Sequence, residues 1–162
     1  MKPEIERKFR LNPVPAILQK LEGTVPILQG YLETPDSFEI RVRAKGDNEF
    51  TLGTKNQGNL VRLEWEVPIP KEVWGNFWDV VKDRIYKKRR IIPYRGYKLE
   101  VDYYLGRLYG LTVVECEFVS TEEAEAFRLP DWLARVAVEV TDDPRYKNRN
   151  LAKLESLQEL SV

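Results

Sequence analysis

Charged and apolar residues alternate at every second position along most of the extended stretches of this chain. Side chains of a β-strand point to opposite faces in turn, so residues two apart share a face. The first stretch thus places Glu4, Glu6 and Lys8 on one face. Ile5 and Phe9 lie on the other face. A sheet built from such strands has one charged and one apolar face, and the charged alternation returns at Arg41/Arg43, Glu64/Glu66, Lys87/Arg89, Glu100/Asp102 and Glu115/Glu117.

A sheet of this kind can fold in two ways. About eight antiparallel strands can close into a barrel, with the charges inside and the apolar residues outside under packed helices. Alternatively, two sheets can share an apolar core and leave their charged faces in water. Periodicity fits both arrangements.

The cost of desolvation separates these arrangements. Acids and bases that face a closed interior are costly unless they are paired, bound to a metal or bound to a ligand. A closed barrel with these residues therefore implies a bound polyanion together with divalent cations. Guanidinium groups suit bidentate phosphate contacts, and carboxylates suit Mg²⁺ or Mn²⁺. The basic groups available for a phosphate chain are Lys8, Arg41, Arg43, Lys55, Arg62, Lys87 and Arg89.

The composition limits the other functions of the chain. Histidine is absent, which removes the usual general base and the usual zinc ligand, so any metal is held by carboxylates. Lys plus Arg and Asp plus Glu number 26 each, which argues against nonspecific binding to nucleic acid or to an anionic membrane. Cys116 is the single cysteine, so no intramolecular disulfide can form. Because no apolar signal or membrane-spanning stretch is evident, we expect a cytoplasmic protein.

A length of 162 residues, without a linker or tandem repeat, indicates a single domain over residues 1–162. Eight strands are expected, over residues 4–11, 25–32, 38–45, 49–55, 61–69, 85–92, 97–104 and 111–118. Helices are expected over residues 16–23, 71–83 and 120–127, with a short strand over 134–140 and a C-terminal helix from about residue 145. In the sixth strand, Lys87 and Arg89 share one face while Lys88 and Arg90 share the other, so only one pair can join the charged interior.

Several motifs follow one another in order along nearly the whole chain. They begin with Glu4-Ile5-Glu6-Arg7-Lys8, which matches an ExExK pattern. They continue with Gln29-Gly30-Tyr31-Leu32, Arg41-Val42-Arg43, Lys55, Arg62 with Glu64 and Glu66, Lys87 with Arg89, Glu100 with Asp102, Glu115 with Glu117, Val140-Thr141-Asp142 and Arg145-Tyr146-Lys147-Asn148. This ordered set resembles the CYTH superfamily, the triphosphate tunnel metalloenzymes.

The resemblance implies an α+β fold, an eight-stranded antiparallel β-barrel with a charged lumen and helices packed outside. It implies that Mg²⁺ or Mn²⁺ is held by the acids Glu4, Glu6, Glu64, Glu66, Asp102, Glu115 and Glu117. It also implies that a triphosphate is held by Lys8, Arg41, Arg43, Lys55, Arg62 and Arg89. The chain is most similar to the small bacterial tripolyphosphatases, in which a tyrosine and a lysine activate the attacking water. The matching residues are Tyr31 and Lys87, since Lys88 lies on the opposite face of the sixth strand from Lys87.

The function that this resemblance implies is metal-dependent hydrolysis of inorganic tripolyphosphate to orthophosphate and pyrophosphate. A thiamine or nucleoside triphosphatase and a class IV-like adenylate cyclase stay open as enzymatic alternatives. A polyphosphate-binding module without turnover is the alternative from another class. The expected partner is a small triphosphate, with neither nucleic acid nor membrane, and the oligomeric state stays open with a homodimer among the options.

Overall fold

Within residues 1–160, the part of the chain that the computed structural model describes, eight antiparallel strands close into a barrel and a ninth strand attaches to the first. The predicted barrel is therefore confirmed. The α-helices are α1 (Lys71–Val80), α2 (Thr121–Ala126), α3 (Asp131–Ala134) and α4 (Asn148–Leu151). The strands are β1 (Lys2–Leu11), β2 (Val25–Tyr31), β3 (Phe38–Lys45), β4 (Glu49–Asn56), β5 (Val61–Pro68), β6 (Asp83–Tyr94), β7 (Tyr97–Tyr104), β8 (Thr112–Phe118) and β9 (Ala137–Glu139).

Strand β1 closes the barrel because it pairs with the strands at both ends of the sheet. Hydrogen-bonded neighbours follow the order β5, β4, β3, β2, β6, β7, β8 and β1, and the start of β1 returns to β5. Glu6 lies opposite Glu117 of β8, and Lys8 lies opposite Glu115. The end of β1 also pairs with β9. The charged side chains of β1 therefore enter an interior lined by acids from the adjacent strand.

The outer face of the barrel is apolar and is covered by the small helices. Ile5, Phe9 and Val101 are buried in one cluster on this face. Phe127 and Leu133, from the segments around α2 and α3, pack in the same cluster. Ser120 accepts a hydrogen bond from the backbone N–H of Glu123 and so caps the N-terminus of α2. Burial of these apolar faces on the outside leaves the charged faces on the inside.

The aromatic residues of α1 pack on another part of the outer face. The rings of Trp74 and Trp78 stack with centroids 5.1 Å apart. Trp74 also contacts Phe50 of β4 at 5.5 Å, and Trp78 meets Tyr86 of β6 edge-on at 5.9 Å. The tryptophans of α1 thus fix the helix to the barrel wall, away from the lumen.

A second hydrophobic cluster fills one end of the barrel interior. Tyr104 and Val113 are two residues from Asp102 and Glu115, so they share the inward side of their strands with these acids. The interior is therefore charged over part of its length and apolar where the C-terminal segment covers it. The cluster includes Tyr31, Ile85, Tyr104 and Val113 from the strands, and Tyr146, Leu151, Ala152 and Leu160 from the C-terminal segment.

The predicted continuous C-terminal helix from about residue 145 is wrong. The segment consists of a 3₁₀ turn at Pro144–Tyr146, the single turn of α4 and a second 3₁₀ turn at Leu157–Leu160. Leucines that recur every three residues suit 3₁₀ turns, in which i and i+3 align, better than an α-helix. The breaks let the segment fold across the end of the barrel. The last two residues of that predicted helix, 161–162, lie outside the described residues.

Smaller differences concern the ends of elements. Helix α1 stops at Val80 because β6 begins already at Asp83, three residues later. The expected helix over residues 16–23 is reduced to a 3₁₀ turn at Ala16–Leu18. The short strand expected over 134–140 is confined to β9, because α3 still occupies Ala134. Among the described residues, no helix has the length and apolarity to cross a membrane.

Candidate active site

The inward-facing charges line a cavity of about 220 Å³ inside the barrel. Alternation along each strand places these charges inside, because residues two apart on a barrel strand lie on the same face. Every residue predicted to form the site, except Asp102, lines this cavity. They are Glu4, Glu6, Lys8, Tyr31, Arg41, Arg43, Lys55, Arg62, Glu64, Glu66, Lys87, Arg89, Glu115 and Glu117.

Asp102 lies in the barrel wall behind the cavity. It is 0% exposed and accepts hydrogen bonds from Lys87 Nζ at 2.7 Å and from Arg89 Nε and Nη2 at 2.7 and 2.8 Å. Burial favours the neutral acid, but the two cations outweigh that effect and hold the pKa of Asp102 below its usual value. These contacts orient Lys87 and Arg89. The predicted role of Asp102 as a metal ligand stays a prediction.

Three carboxylates form the group best suited to a cation. Glu4, Glu6 and Glu117 each offer an oxygen within 4.8 Å of the others. Burial raises the pKa of all three carboxyls, and neighbouring acids raise it further: Glu64 for Glu4, Glu115 for Glu6, and Glu4 and Glu6 for Glu117. A divalent cation would relieve this repulsion, and oxygen ligands suit a hard ion. The residues therefore fit the predicted metal.

The other predicted metal ligands lie beside cations, as Glu4 does beside Lys55. Arg41 Nη2 lies 3.1 Å from Glu66 and 3.8 Å from Glu64. Burial alone would raise the pKa of Glu66, but Arg43 and Arg41 lower it. Burial would likewise raise the pKa of Glu115, and nearby cations, Lys8 first among them, hold it well below its usual value instead. Their roles as metal ligands stay predictions.

Each predicted substrate-binding cation lies beside a carboxylate. These ion pairs hold long side chains in place, so the cations are positioned before an anion arrives. The pairs and their N–O distances are Lys8–Glu115 at 3.2 Å, Arg41–Glu66 at 3.1 Å, Arg43–Glu66 at 3.2 Å, Lys55–Glu4 at 2.7 Å, Arg62–Glu39 at 3.0 Å and Arg89–Asp102 at 2.7 Å.

Tyr31 and Lys87 both reach the cavity wall and are almost fully buried. Tyr31 is 3% exposed and Lys87 is 2% exposed. Burial lowers the pKa of Lys87 to about 8, although Asp102 opposes this effect. Burial also raises the pKa of Tyr31 above its usual value, so the phenol keeps its proton. The pair thus offers an amine that is partly neutral near pH 8 and a hydroxyl that can donate a hydrogen bond.

The register predicted for β6 is confirmed. Lys87 and Arg89 line the cavity, whereas Lys88 and Arg90 do not. Lys88 is partly exposed, and the guanidinium of Arg90 donates to the backbone carbonyl of Lys20 on the outside. The run of four basic residues is therefore divided between the two faces of one strand.

Several cavity residues were missing from the predicted site. Glu39 lies two residues before Arg41 on the same strand, so the alternation of side chains could have placed it inside the barrel. Glu100 shares a face with Asp102, which the sequence did indicate, and it contacts Arg89 across the cavity wall. Lys147 reaches the cavity from the C-terminal segment, and no strand pattern could have located it there.

The C-terminal segment is fixed against the barrel by polar contacts. Lys8 Nζ donates to the carbonyl of Tyr146 at 3.1 Å. The hydroxyl of Tyr104 donates to the side-chain oxygen of Asn148. Arg149 donates to backbone carbonyls of the β2–β3 loop, at 2.7 Å for Thr34. The segment thereby brings Lys147 and Asn148 to the cavity and limits it at this end.

Comparison with known proteins identifies relatives that match nearly the whole chain. The chain is 39% identical over 156 residues to an inorganic triphosphatase of Nitrosomonas europaea, covering 92% of this chain and 96% of that protein. It is 33% identical over 155 residues to an inorganic triphosphatase of Acetivibrio thermocellus, covering 94% and 95%.

Solved structures show the same fold. A crystal structure of an inorganic triphosphatase superposes with a TM-score of 0.66 at 36% identity, covering 96% of this chain and 98% of the other. A Hippeastrum protein with a dominant triphosphatase activity has a TM-score of 0.52 at 19% identity, covering 75% and 82%, which shows a shared fold alone. The CYTH domain family profile matches residues 2–153, nearly the full length of the chain. The chain therefore belongs to the CYTH domain family.

Proposed function

We propose that this protein hydrolyses inorganic tripolyphosphate to orthophosphate and pyrophosphate with the help of a divalent cation. The observation that carries the proposal is one cavity in which a group of three carboxylates lies among seven predicted basic side chains. A triphosphate with its cation satisfies both sets of charges at once. The names of the two curated relatives, both inorganic triphosphatases, support this choice of substrate.

The basic side chains bind the phosphate chain. Arg41 and Arg43 lie on one strand and point into the cavity, where their planar groups suit bidentate contacts to phosphoryl oxygens. Their carboxylate partner Glu66 is shared between them, at 3.1 and 3.2 Å. Arg41 also lies 3.8 Å from Glu64. A polyanion therefore meets two guanidiniums that these carboxylates already hold in place.

The carboxylates Glu4, Glu6 and Glu117 hold the cation, which we propose to be Mg²⁺ or Mn²⁺. Lys55 donates to both oxygens of Glu4 at 2.7 and 2.8 Å and fixes the direction of this carboxylate. When bound, such a cation neutralises phosphoryl oxygens and favours attack by water. Glu64, Glu66, Glu115 and Asp102 keep their cationic partners and position the phosphate-binding groups.

Tyr31 and Lys87 act on the attacking water. Since burial lowers the pKa of Lys87 to about 8, part of its amine is neutral near neutral pH and accepts a proton from water. Tyr31, which stays protonated, donates a hydrogen bond beside it. Water then attacks the terminal phosphorus in line with the departing pyrophosphate, and positioning with charge neutralisation supplies most of the rate.

The substrate is a small molecule rather than a macromolecule. The cavity of about 220 Å³ lies inside the barrel and is lined mainly by charged side chains. The balance of 26 basic and 26 acidic residues gives no surplus for nucleic acid or an anionic membrane. We place the enzyme in the cytoplasm, where soluble inorganic phosphates and divalent cations are available.

The test is phosphate release from pyrophosphate, tripolyphosphate, ATP and thiamine triphosphate, each with Mg²⁺ or Mn²⁺ and with EDTA as the control. We expect tripolyphosphate to have the highest kcat/KM and EDTA to stop turnover. Preferred release from ATP or thiamine triphosphate would establish an organic triphosphatase instead. Cyclic AMP and bound tripolyphosphate would be measured separately: formation of cyclic AMP from ATP would establish a cyclase, and binding of tripolyphosphate without turnover would establish a binding module.

A further inference from the structure

A buried glutamine contacts the hydroxyl of Tyr31. Gln29 is 0% exposed, and its Nε2 donates to the Tyr31 hydroxyl oxygen at 2.8 Å. Both residues belong to β2 and lie two positions apart, so they share the inward side of the strand. Gln29 does not line the cavity, whereas Tyr31 does. Gln29 therefore lies behind Tyr31 and can reach a substrate only through it.

Packing alone does not explain this amide. Among residues 1–160, the side-chain oxygen of Gln29 is buried without a hydrogen-bond partner. A buried carbonyl without a partner lowers stability, and an apolar side chain of similar shape would remove that cost. Within the described part of the chain, the one polar contact of the side chain is that to Tyr31. The contact to the hydroxyl is thus the feature that an apolar replacement would lose.

The contact determines where the Tyr31 proton points. Because the amide N–H of Gln29 occupies a lone pair of the hydroxyl oxygen, the hydroxyl acts as acceptor toward Gln29. Arg41, the residue opposite Tyr31 in the β2–β3 register, hydrogen-bonds the same hydroxyl, and a guanidinium has no acceptor. With donors on these two sides, the O–H of Tyr31 is left to point into the cavity, which Glu39 also lines as a charged neighbour of Tyr31. Burial, which raises the pKa of Tyr31, keeps this proton in place.

We propose that Gln29 is a positioning residue that holds the Tyr31 hydroxyl as a hydrogen-bond donor toward the reacting end of the triphosphate. The inference rests on the proposed function, in which Tyr31 acts beside Lys87. It assigns to Gln29 a role in turnover rather than in substrate affinity, because Gln29 itself touches neither the substrate nor the cavity.

A double-mutant cycle tests this role. Steady-state kinetics with tripolyphosphate would be measured for the wild type, Gln29→Met, Tyr31→Phe and the double variant, with Gln19→Met as the exposed control. Loss of one neutral hydrogen bond predicts a kcat about tenfold lower for Gln29→Met. KM should change less than about twofold, because the phosphate contacts stay intact. In the Tyr31→Phe background, Gln29→Met should have no further effect on kcat.

A structural role would give a different pattern. The melting temperature of Gln29→Met should equal or exceed that of the wild type, since an unpaired buried carbonyl is removed. An equal drop in kcat in both Tyr31 backgrounds, or no drop at all, would overturn the inference. Loss of the folded state in Gln29→Met and in a second variant, Gln29→Leu, would overturn it too, because the amide would then be needed for packing.

The same measurements distinguish failure of the proposed function. A wild type that releases no phosphate from tripolyphosphate contradicts the proposed function itself. A Tyr31→Phe enzyme with unchanged kcat contradicts the role of Tyr31. Additive effects of the two substitutions, with both single variants impaired, contradict only the role of Gln29.

Discussion

Replacement of Lys87 by alanine removes the amine that we place beside the attacking water. Lys87 Nζ lies 2.7 Å from Asp102 and 5.7 Å from the centre of the Tyr104 ring. Lys88, the adjacent residue with the same charge, is partly exposed and does not line the cavity. The two substitutions remove the same group from opposite faces of one strand, so Lys88→Ala is the matched control.

The structure limits how far Lys87→Ala can destabilise the fold. Removing one partner of a buried ion pair costs about 3–5 kcal/mol when the other charge is left alone. Asp102, however, keeps its bonds to Arg89 Nε at 2.7 Å and Nη2 at 2.8 Å. The loss of stability should therefore fall below that range. Loss of a general acid or base lowers rates by about 10²-fold or more, and 10²-fold equals about 2.7 kcal/mol of activation free energy.

Steady-state kinetics with tripolyphosphate, with folding checked by circular dichroism, measure both effects. We expect kcat of Lys87→Ala to fall by about 10²-fold or more, and kcat of Lys88→Ala to stay close to that of the wild type. A folded Lys87→Ala enzyme with nearly normal kcat would refute the proposed role. An inactive Lys88→Ala enzyme would contradict the β6 register.

Three further substitutions test the proposed contacts. Glu117→Gln should lower turnover and raise the Mg²⁺ concentration for half-maximal activity by about 10- to 100-fold. Glu122→Gln, on the exposed surface, should change neither quantity. Titration of activity against Mg²⁺ measures both variants. Arg43→Ala should lower kcat/KM for tripolyphosphate by about 10- to 100-fold, since charged hydrogen bonds contribute about 1.5–3 kcal/mol. An unchanged kcat/KM would show that Arg43 does not contact the substrate. Lys147→Ala should raise KM by about tenfold with little loss of kcat, because Lys147 lines the cavity and has no ion-pair partner within the described chain. Lys153→Ala, at an exposed position, should leave KM unchanged. Equal KM values for the two variants would exclude a contact between Lys147 and the substrate.

The barrel and most of its lumen could be predicted because both follow from local alternation. On a strand, the identity of residue i fixes the side on which residue i+2 lies, so Glu4, Glu6 and Lys8 had to share one environment. The desolvation cost of charges then favoured a closed, liganded interior. The same argument separated Lys87 from Lys88 despite their equal charge.

The parts that the sequence did not predict depend on contacts between distant segments. Asp102 lies on the inward face of its strand, yet Lys87 and Arg89 of the neighbouring strand bind it within the barrel wall, behind the cavity. The path of the C-terminal segment is decided by the apolar end of the barrel that it covers, around Tyr104 and Leu151. The recurrence of a leucine at every third residue could not distinguish one helix from a series of short turns; these are Leu151, Leu154, Leu157 and Leu160.

Hydrolysis of tripolyphosphate in ¹⁸O-labelled water, followed by ³¹P NMR, tests the central proposal most directly. Attack of water on a terminal phosphorus places one labelled oxygen in orthophosphate and none in pyrophosphate. We predict this labelling with Mg²⁺ or Mn²⁺, equimolar orthophosphate and pyrophosphate, and no reaction in EDTA. Label in pyrophosphate would show attack on the central phosphorus, and the absence of metal-dependent turnover would contradict the proposed enzyme.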